Sequence, residues 1–557
     1  MRPFRRLVSR AVAAACLAVT ACTGSGAPVP TAAALTAPVV TIASGQLSGI
    51  SANGLNIFEG IPYAAPPIGM ARWTAPQPPA SWDGLRDATQ FGPACIQPDT
   101  RSNSIYAQDI GVMSEDCLTL NVWAPTDARK APVIVWIHGG ALRTGSSKET
   151  LYDGTALAER GVVVVSINYR LGVLGYLAHP ALSAESPMGV SGNYGLLDQI
   201  EALKWVQQNI GAFGGDPDNV TIAGESAGGL SVLYLLSSPL AKGLFAKAIA
   251  QSAYMVSLAD LKKTSYGVPS AESAGLQLEK QLGVLGIEGL RAMGAKEVYD
   301  AASAAHFVPL GTEDGRVLPG QMVDIFDAGE QAHVPVLIGF NAGEIRSLRA
   351  LAPQVPASAA DYEATIREKY FDLAEEYLRL YPATDLEESI IANTRDALYG
   401  WTSERVALKQ TAIGERAFLY LFDHAYPSAE DAGLHAFHAS ELPFMFGTLD
   451  RTPPNWPKIP DTSEEHALSD AMVGYWTSFA ATGHPVAAGE PDWPTYDGTA
   501  AYMHFTDAPH PSERVFPGMY ELHETAMCRR KQSGNYPWNW NTGLVSPPLE
   551  PVDGDCP

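Results

Sequence analysis

Two stretches near the middle of the chain, APVIVWIHGG (131–140) and RGVVVVSINYR (160–170), carry near-continuous apolar runs of the kind found in strands covered on both faces. NYGLLDQIEALKWVQQNI (193–210) changes period: Leu196, Leu197, Ile200, Leu203, Val206 and Ile210 recur mostly three or four apart, which predicts an amphipathic helix. NVTIAG (219–224) reads as the next strand, and SAGGLSVLYLLSS (226–238) starts a helix directly after it. LFAKAIAQSA, VPVLIGFNAGE and RAFLYLFDH supply later strands, and EHALSDAMVGYWTSFAATG (465–483) a late packed helix ending at Gly483. This alternation predicts an α/β fold, a large and mostly parallel sheet flanked by helices. Residues 256–333 and 346–415 are less regular and read as insertions over one edge of the sheet, the second with helical periods in YEATIREKYFDLAEEYLRLY. No internal repeat and no sustained heptad pattern occurs. The aromatic, turn-rich NYPWNWNTGLVSPP near the C-terminus reads as a tethered surface segment.

Composition narrows the picture. With 557 residues, 46% hydrophobic and 17% charged, the chain has enough apolar material for a large core. No linker-like tract divides it after the N-terminus, so a single large domain with long insertions is expected. The net charge of −23, with no basic block beyond the first ten residues, makes nucleic acid and anionic membrane surfaces poor partners.

The N-terminus reads as a processing segment. MRPFRRLVSR is basic, and the following AVAAACLAVTA is too short to span a bilayer. Val19-Thr20-Ala21-Cys22 resembles a bacterial lipobox, cleaved before Cys22 and lipidated on it; cleavage elsewhere in the Ala-rich stretch up to Ala37, giving a soluble periplasmic or secreted protein, is the alternative. The expected organisation is a signal peptide over 1–21, an exported linker over 22–44 and one catalytic domain over 45–557. Setting Cys16 and Cys22 aside leaves Cys95, Cys117, Cys528 and Cys556. In an oxidising compartment the sequence-local pairing is Cys95 with Cys117 and Cys528 with Cys556; four buried thiols are the alternative. No C-x-x-C pair suggests zinc or a dithiol centre.

Chemistry concentrates in TIAGESAGGL (221–230). Ser226, with Gly224 and Gly228 two residues to either side and a strand-to-helix change at its own position, fits a nucleophile elbow. The glycines permit a tight turn, and the first amides of the helix favour developing negative charge. The alternative is a glycine-softened turn with an idle serine. A serine nucleophile requires a base and an acid that orients it. Among twelve histidines spacing alone does not choose. His138 precedes Gly139-Gly140-Ala141 at a strand end, a candidate oxyanion loop in which His138 itself is a structural hydrogen bonder. His435 and His438 stand three apart, open to reading as a metal pair, although no H-E-x-x-H accompanies them; His438 as general base is the preferred reading. Glu344 follows the strand VPVLIGF, where sheet enzymes carry active-site loops, or is a solvated turn residue.

Several segments together resemble the type-B carboxylesterases, the α/β-hydrolase family that includes bacterial esterases, lipases and cholinesterases. FEGIPYAAPPIGMARW, WDGLRDATQFGPAC, SEDCLTLNVW, WIHGGA, NYGLLDQIEAL, FGGDPDNVTIAGESAGG and HASELPFMFG occur in the family's order between Gly45 and Asp497. The resemblance implies an α/β-hydrolase fold with long insertions over the active site, and a triad of Ser226, Glu344 and His438. It puts the oxyanion amides on Gly140, Ala141 and Ala227, with Gly139 shaping that loop and Glu225 beside the nucleophile. It also pairs Cys95 with Cys117 and gives no comparable support for Cys528 with Cys556. One departure stands out: the family's D-E-G around the acid is here Gly343-Glu344-Ile345.

The implied activity is hydrolysis of a small-molecule carboxylic ester by water through an acyl-enzyme, without a metal or organic cofactor. Segment 96–116 lacks the tryptophan with which cholinesterases meet a quaternary ammonium, so a neutral or moderately apolar ester is expected rather than a choline ester. Amide or bulky natural-product ester hydrolysis, and a catalytically silent recognition role, are the alternatives; the silent role fits poorly with three chemically competent triad positions.

Overall fold

The apolar runs assemble side by side. In the computed structural model, which describes residues 37–99, 103–539, 541–550 and 556, eleven strands form one mixed sheet. In chain order they are β1 (Ile50–Ala52), β2 (Leu55–Pro62), β3 (Thr119–Pro125), β4 (Ala131–Ile137), β5 (Val163–Ile167) and β6 (Gly215–Glu225). Then follow β7 (Lys247–Gln251), β8 (Val336–Asn341), β9 (Ala417–Phe422), β10 (Ala501–Phe505) and β11 (Pro509–Glu513). Their order across the sheet is β11-β10-β9-β8-β7-β6-β4-β5-β3-β2-β1. Every pairing from β5 through β10 is parallel, and the pairings outside that block are antiparallel. With helices on both faces, this is the α/β-hydrolase fold.

Strand β4 explains why the central runs are apolar without alternation. Val133, Val135 and Ile137 enter one core, while Ile134 and Trp136 enter another on the opposite face. Helix α1 (Tyr194–Asn209) brings Leu196, Ile200, Leu203 and Val206 to the first core. Helix α3 (Ser463–Thr482) brings Leu468, Met472, Trp476 and Phe479 to the second, and Gly483 ends it in the left-handed conformation. Between them in sequence, α2 (Ala227–Ser237) follows β6 directly and is buried along its whole length.

Three local expectations change. Strand Val39–Ile42, inside the stretch 22–44 read as an exported linker, pairs with Gly45–Ser48 just beyond it, where its backbone groups find partners. Helix Trp401–Ala412 packs on β8 and β9, so the end of the second irregular stretch covers the sheet and is no insertion. The C-terminal segment is built into the molecule: after α4 (Met519–Ser533), Trp538 is fully buried, its ring centroid 6.0 Å from that of Trp401. Its indole N–H donates to Gln321 Oε1 at 3.0 Å, so this tryptophan has both an apolar seat and a polar partner. The structure joins Cys95 to Cys117 and Cys528 to Cys556. Cys22 and the leader before it lie outside the described residues, which from Ala37 onward form one compact unit.

Candidate active site

Strand β6 runs into helix α2 through a single residue, Ser226, at φ 56° and ψ −119°. A side chain rarely adopts that backbone geometry, and it persists here because the surroundings fix it from both sides. The Ser226 amide donates to Gln251 O at 2.9 Å, and its carbonyl accepts from Leu230 N at 2.8 Å. The flanking glycines are sterically required. A methyl group at Gly224 would lie 2.5 Å from the Gly228 carbonyl carbon, and one at Gly228 only 2.0 Å from Ile137 O. The turn is thus packed between its own two halves and the end of β4.

The loop after β4 leans on the same turn. A methyl group at Gly139 would lie 2.9 Å from Glu225 O and 3.3 Å from Ser226 Cβ. Gly140 (φ 99°) packs against Thr144, and its carbonyl accepts from Arg143 N and Thr144 N. Ala141 and the buried Leu142 both take φ 56°. Among the described residues, no acceptor takes the amide protons of Gly140, Ala141 or Ala227. His138 is a structural member of this loop: its ring stacks on Tyr169 at 4.5 Å, and its carbonyl accepts from the Tyr169 hydroxyl at 2.9 Å. Burial, partly offset by contact with Gly139 O, lowers its pKa to about 4 and keeps it neutral. Gln97, two residues past Cys95, holds the loop's far end by exchanging hydrogen bonds with Gly145.

Glu344 and His438, the candidate acid and base, come from the loops after β8 and β9. Glu344 follows β8 and is fully buried. Its Oε1 accepts from the Ser252 hydroxyl at 2.6 Å and from Asn341 N at 2.9 Å, and its Oε2 meets His438 Nδ1. The altered neighbours of the acid leave it well seated: Gly343 bridges to Phe437, and its amide donates to Ala436 O, which ties the acid loop to the histidine loop. On the other ring nitrogen, His438 Nε2 lies 3.1 Å from Glu225 Oε1, without hydrogen-bonding alignment. Among the described residues it makes no hydrogen bond to Ser226; such bonds are often long before substrate arrives. His435 turns away to Glu430, with Nδ1 to Oε1 at 2.7 Å, so the two histidines do not face a common point.

Sequence reasoning missed the layer behind these groups. Glu441, fully buried, accepts from Gln251 Nε2 at 2.9 Å and from Asn341 Nδ2 at 2.6 Å. Gln251 is in turn held by the Trp476 indole at 2.9 Å. Tyr106, inside the first disulfide loop, donates to His438 O at 2.9 Å, and the Tyr399 ring lies 5.5 Å from the imidazole. Glu441 stands inside the HASELPFMFG segment, so its position was visible although its role was not; Ser252 and Tyr106 carried no comparable signal.

Electrostatics follow from crowding acids in a dry place. Burial is the largest influence on Glu225 and pushes it up to about 8, with the His438 charge pulling the other way. Burial likewise pushes Glu441 up to about 7. For His438 burial disfavours the charged ring, but the carboxylates of Glu225 and Glu344 outweigh it and hold the imidazole up at about 9. These groups titrate together, and the imidazolium is the form the site favours.

A strand-to-helix elbow packed against a small-residue loop, with a buried histidine and carboxylate close to its Glu225, is an arrangement suited to acyl transfer. The chain belongs to the carboxylesterase family, whose model matches residues 36–521. It is 37% identical to the fumonisin B1 esterase of Sphingopyxis macrogoltabida, covering 83% of this chain and 85% of that protein. It is also 37% identical to the para-nitrobenzyl esterase of Bacillus subtilis (strain 168), covering 83% and 93%. A solved structure of a PNB esterase superposes with a TM-score of 0.76 at 35% identity, over 87% of this chain and 99% of that one. A thermophilic PNB esterase does so at 0.76 and 34%, over 87% and 100%. These likenesses support ester hydrolysis as the general activity.

Proposed function

We propose that the protein hydrolyses carboxylic esters by a serine mechanism, with Ser226 as nucleophile, His438 as general base and Glu344 as the orienting acid. The observation that carries this reading is the strained elbow at Ser226, pressed against Gly139, whose preceding residue Glu225 lies beside a His438 ring already bound to Glu344. A turn of the imidazole from Glu225 toward the Ser226 hydroxyl starts the reaction. His438 takes the hydroxyl proton as Oγ bonds to the ester carbonyl carbon, and the carbonyl electron pair moves to oxygen. The amides of Gly140, Ala141 and Ala227 receive that oxyanion, each contributing about 3 kcal/mol to the transition state. The tetrahedral centre collapses, the C–O bond to the alcohol breaks, and His438 returns its proton to the departing alkoxide. Water, deprotonated by the same imidazole, attacks the acyl-enzyme carbonyl; the bond to Oγ breaks, His438 returns the proton to Ser226 Oγ, and the carboxylic acid leaves. Glu344 holds Nδ1–H and offsets the ring's transient charge.

The mechanism is tested by labelling with an organophosphate, which phosphorylates an activated serine. Wild type is expected to be labelled on Ser226 and inactivated, and both His438→Ala and Ser226→Ala to resist labelling. Absence of labelling in folded wild type refutes the serine mechanism and favours a silent recognition protein.

The substrate class proposed is a neutral or moderately apolar ester. For location, the reading is a bacterial exported protein with a signal peptide over 1–21, either tethered through lipidated Cys22 or released in soluble form. Mass spectrometry of the mature N-terminus separates the two, and Cys22→Ala is expected to move a lipoprotein from the membrane to the soluble fraction.

A further inference from the structure

His438 has an aromatic neighbourhood that the proposed reaction leaves unused. The Tyr399 ring lies 5.5 Å from the imidazole, centroid to centroid, and the Tyr254 ring meets Tyr399 edge-on at 6.0 Å. Both side chains come from segments that already serve the site. Tyr254 follows β7 and stands just past Gln251, whose carbonyl accepts from Ser226 N, and Ser252, whose hydroxyl donates to Glu344. Tyr399 belongs to a π-helical turn, Asp396–Gly400, a rare backbone form that recurs at functional sites.

The pair is fixed at three points. Met255 N donates to Thr402 Oγ1 at 3.0 Å, which fastens the Tyr254 segment to the helix that continues the π-helical turn. Arg395 Nη1 donates to Ala342 O at 3.1 Å and so ties the start of that turn to the loop of Glu344. A methyl group at Gly400 would lie 3.0 Å from the terminal methyl of Met519, so the turn rests directly on α4.

Both phenols are open to a ligand. Among the described residues neither hydroxyl makes a hydrogen bond, and neither is sealed from solvent. Tyr254 is half-buried, and Tyr399, although only 2% exposed, keeps its hydroxyl accessible. Ser226 is likewise half-buried between the buried Glu225 and Ala227, and Ala141 is exposed. A hydroxyl that is accessible, fixed in place and without a protein partner is suited to orient a small-molecule ligand. Burial, reinforced by Glu344 for Tyr399 and by Glu225 for Tyr254, raises both phenols above their ordinary value, so both remain protonated donors. The same acids oppose an anionic arm, which leaves an uncharged oxygen as the acceptor.

We propose that Tyr254 and Tyr399 form a donor pair that selects esters carrying a second, uncharged oxygen, an ether or carbonyl oxygen on the acid or the alcohol part, within a few bonds of the reacting carbonyl. This inference rests on the ester-hydrolase reading above and adds to it the class of ester.

The test measures kcat/KM of wild type, Tyr254→Phe, Tyr399→Phe and the double variant on two matched pairs of esters. Nitrophenyl β-methoxypropanoate and nitrophenyl pentanoate differ by an oxygen in place of a methylene on the acid side. Methoxyethyl acetate and butyl acetate differ in the same way on the alcohol side. The readout is the ratio of ether ester to hydrocarbon ester, which cancels the intrinsic reactivity of the substrates and any general damage to the base. For one pair that ratio is expected to fall about tenfold or more in the double variant, and the pair affected tells which side of the ester carries the oxygen. Ratios that keep the wild-type value for both pairs overturn the donor-pair assignment while the hydrolase stands. Should both members of a pair slow together, the tyrosines seat His438 and do not read the substrate, which overturns it equally. A wild type that cleaves none of the four esters overturns the hydrolase reading and the tyrosines' role with it.

Discussion

Glu225 directly precedes Ser226, the proposed nucleophile, and its Oε1 lies 3.1 Å from the His438 imidazole. Its carboxylate favours the charged ring, and only the neutral ring can take the Ser226 proton. Activity should therefore rise with pH through a midpoint above the ordinary histidine value. In Glu225→Gln the attraction is gone, so the midpoint of the kcat/KM profile is expected to move down toward the ordinary value. An unmoved midpoint would mean that Glu225 does not set the base's charge. Ser226 was legible because an elbow needs glycines at fixed offsets, and those offsets are written in the chain. Ser252, Asn341 and Glu441 were not, because a hydrogen bond between side chains about 90 to 190 positions apart leaves no local pattern.

Among the elements, the junction of β6 and α2 tolerates least change. In Gly228→Ala the new methyl group would meet Ile137 O at 2.0 Å, backbone that cannot yield without moving β4. We expect a loss of about 3 kcal/mol or more in denaturant unfolding, together with loss of activity, since the Ser226 turn would open. The strands of the sheet were readable because burial on both faces demands unbroken apolar runs. Helix Trp401–Ala412 was harder to place: Glu404 and Arg405 are buried within it, and their polar letters disguise a sheet-covering helix. Burial of Glu404 pushes its carboxyl up to about 8, which suits a neutral group in that setting. The C-terminal segment misled for a related reason. Its Pro, Asn and Gly content is that of a surface turn, and only the tertiary seat beside Trp401 makes Trp538 a core residue. Trp538→Ala is expected to cost about 3 to 5 kcal/mol, measured by thermal or denaturant unfolding.

At the scale of the whole molecule, the two disulfides serve different regions. The Cys95–Cys117 loop carries Gln97, which braces the proposed oxyanion loop at Gly145, and Tyr106, which braces the loop of His438. Replacing both cysteines by serine is expected to cost about 3 kcal/mol of stability and to lower kcat as well, because both loops lose a support. A variant that melts earlier but keeps full kcat would limit that bridge to stability alone. The second bridge joins Cys556 to α4 at Cys528. The stretch between them supplies Trp538 to the interior and is synthesised after the elements it packs against. Until it arrives, Trp401 and Gln321 wait without their partner, and the body of the protein stays one piece short of its native packing. Completion of this fold thus waits on residues beyond α4, and a chain cut short before Trp538 would be an exposed, incompletely packed species open to proteases and aggregation.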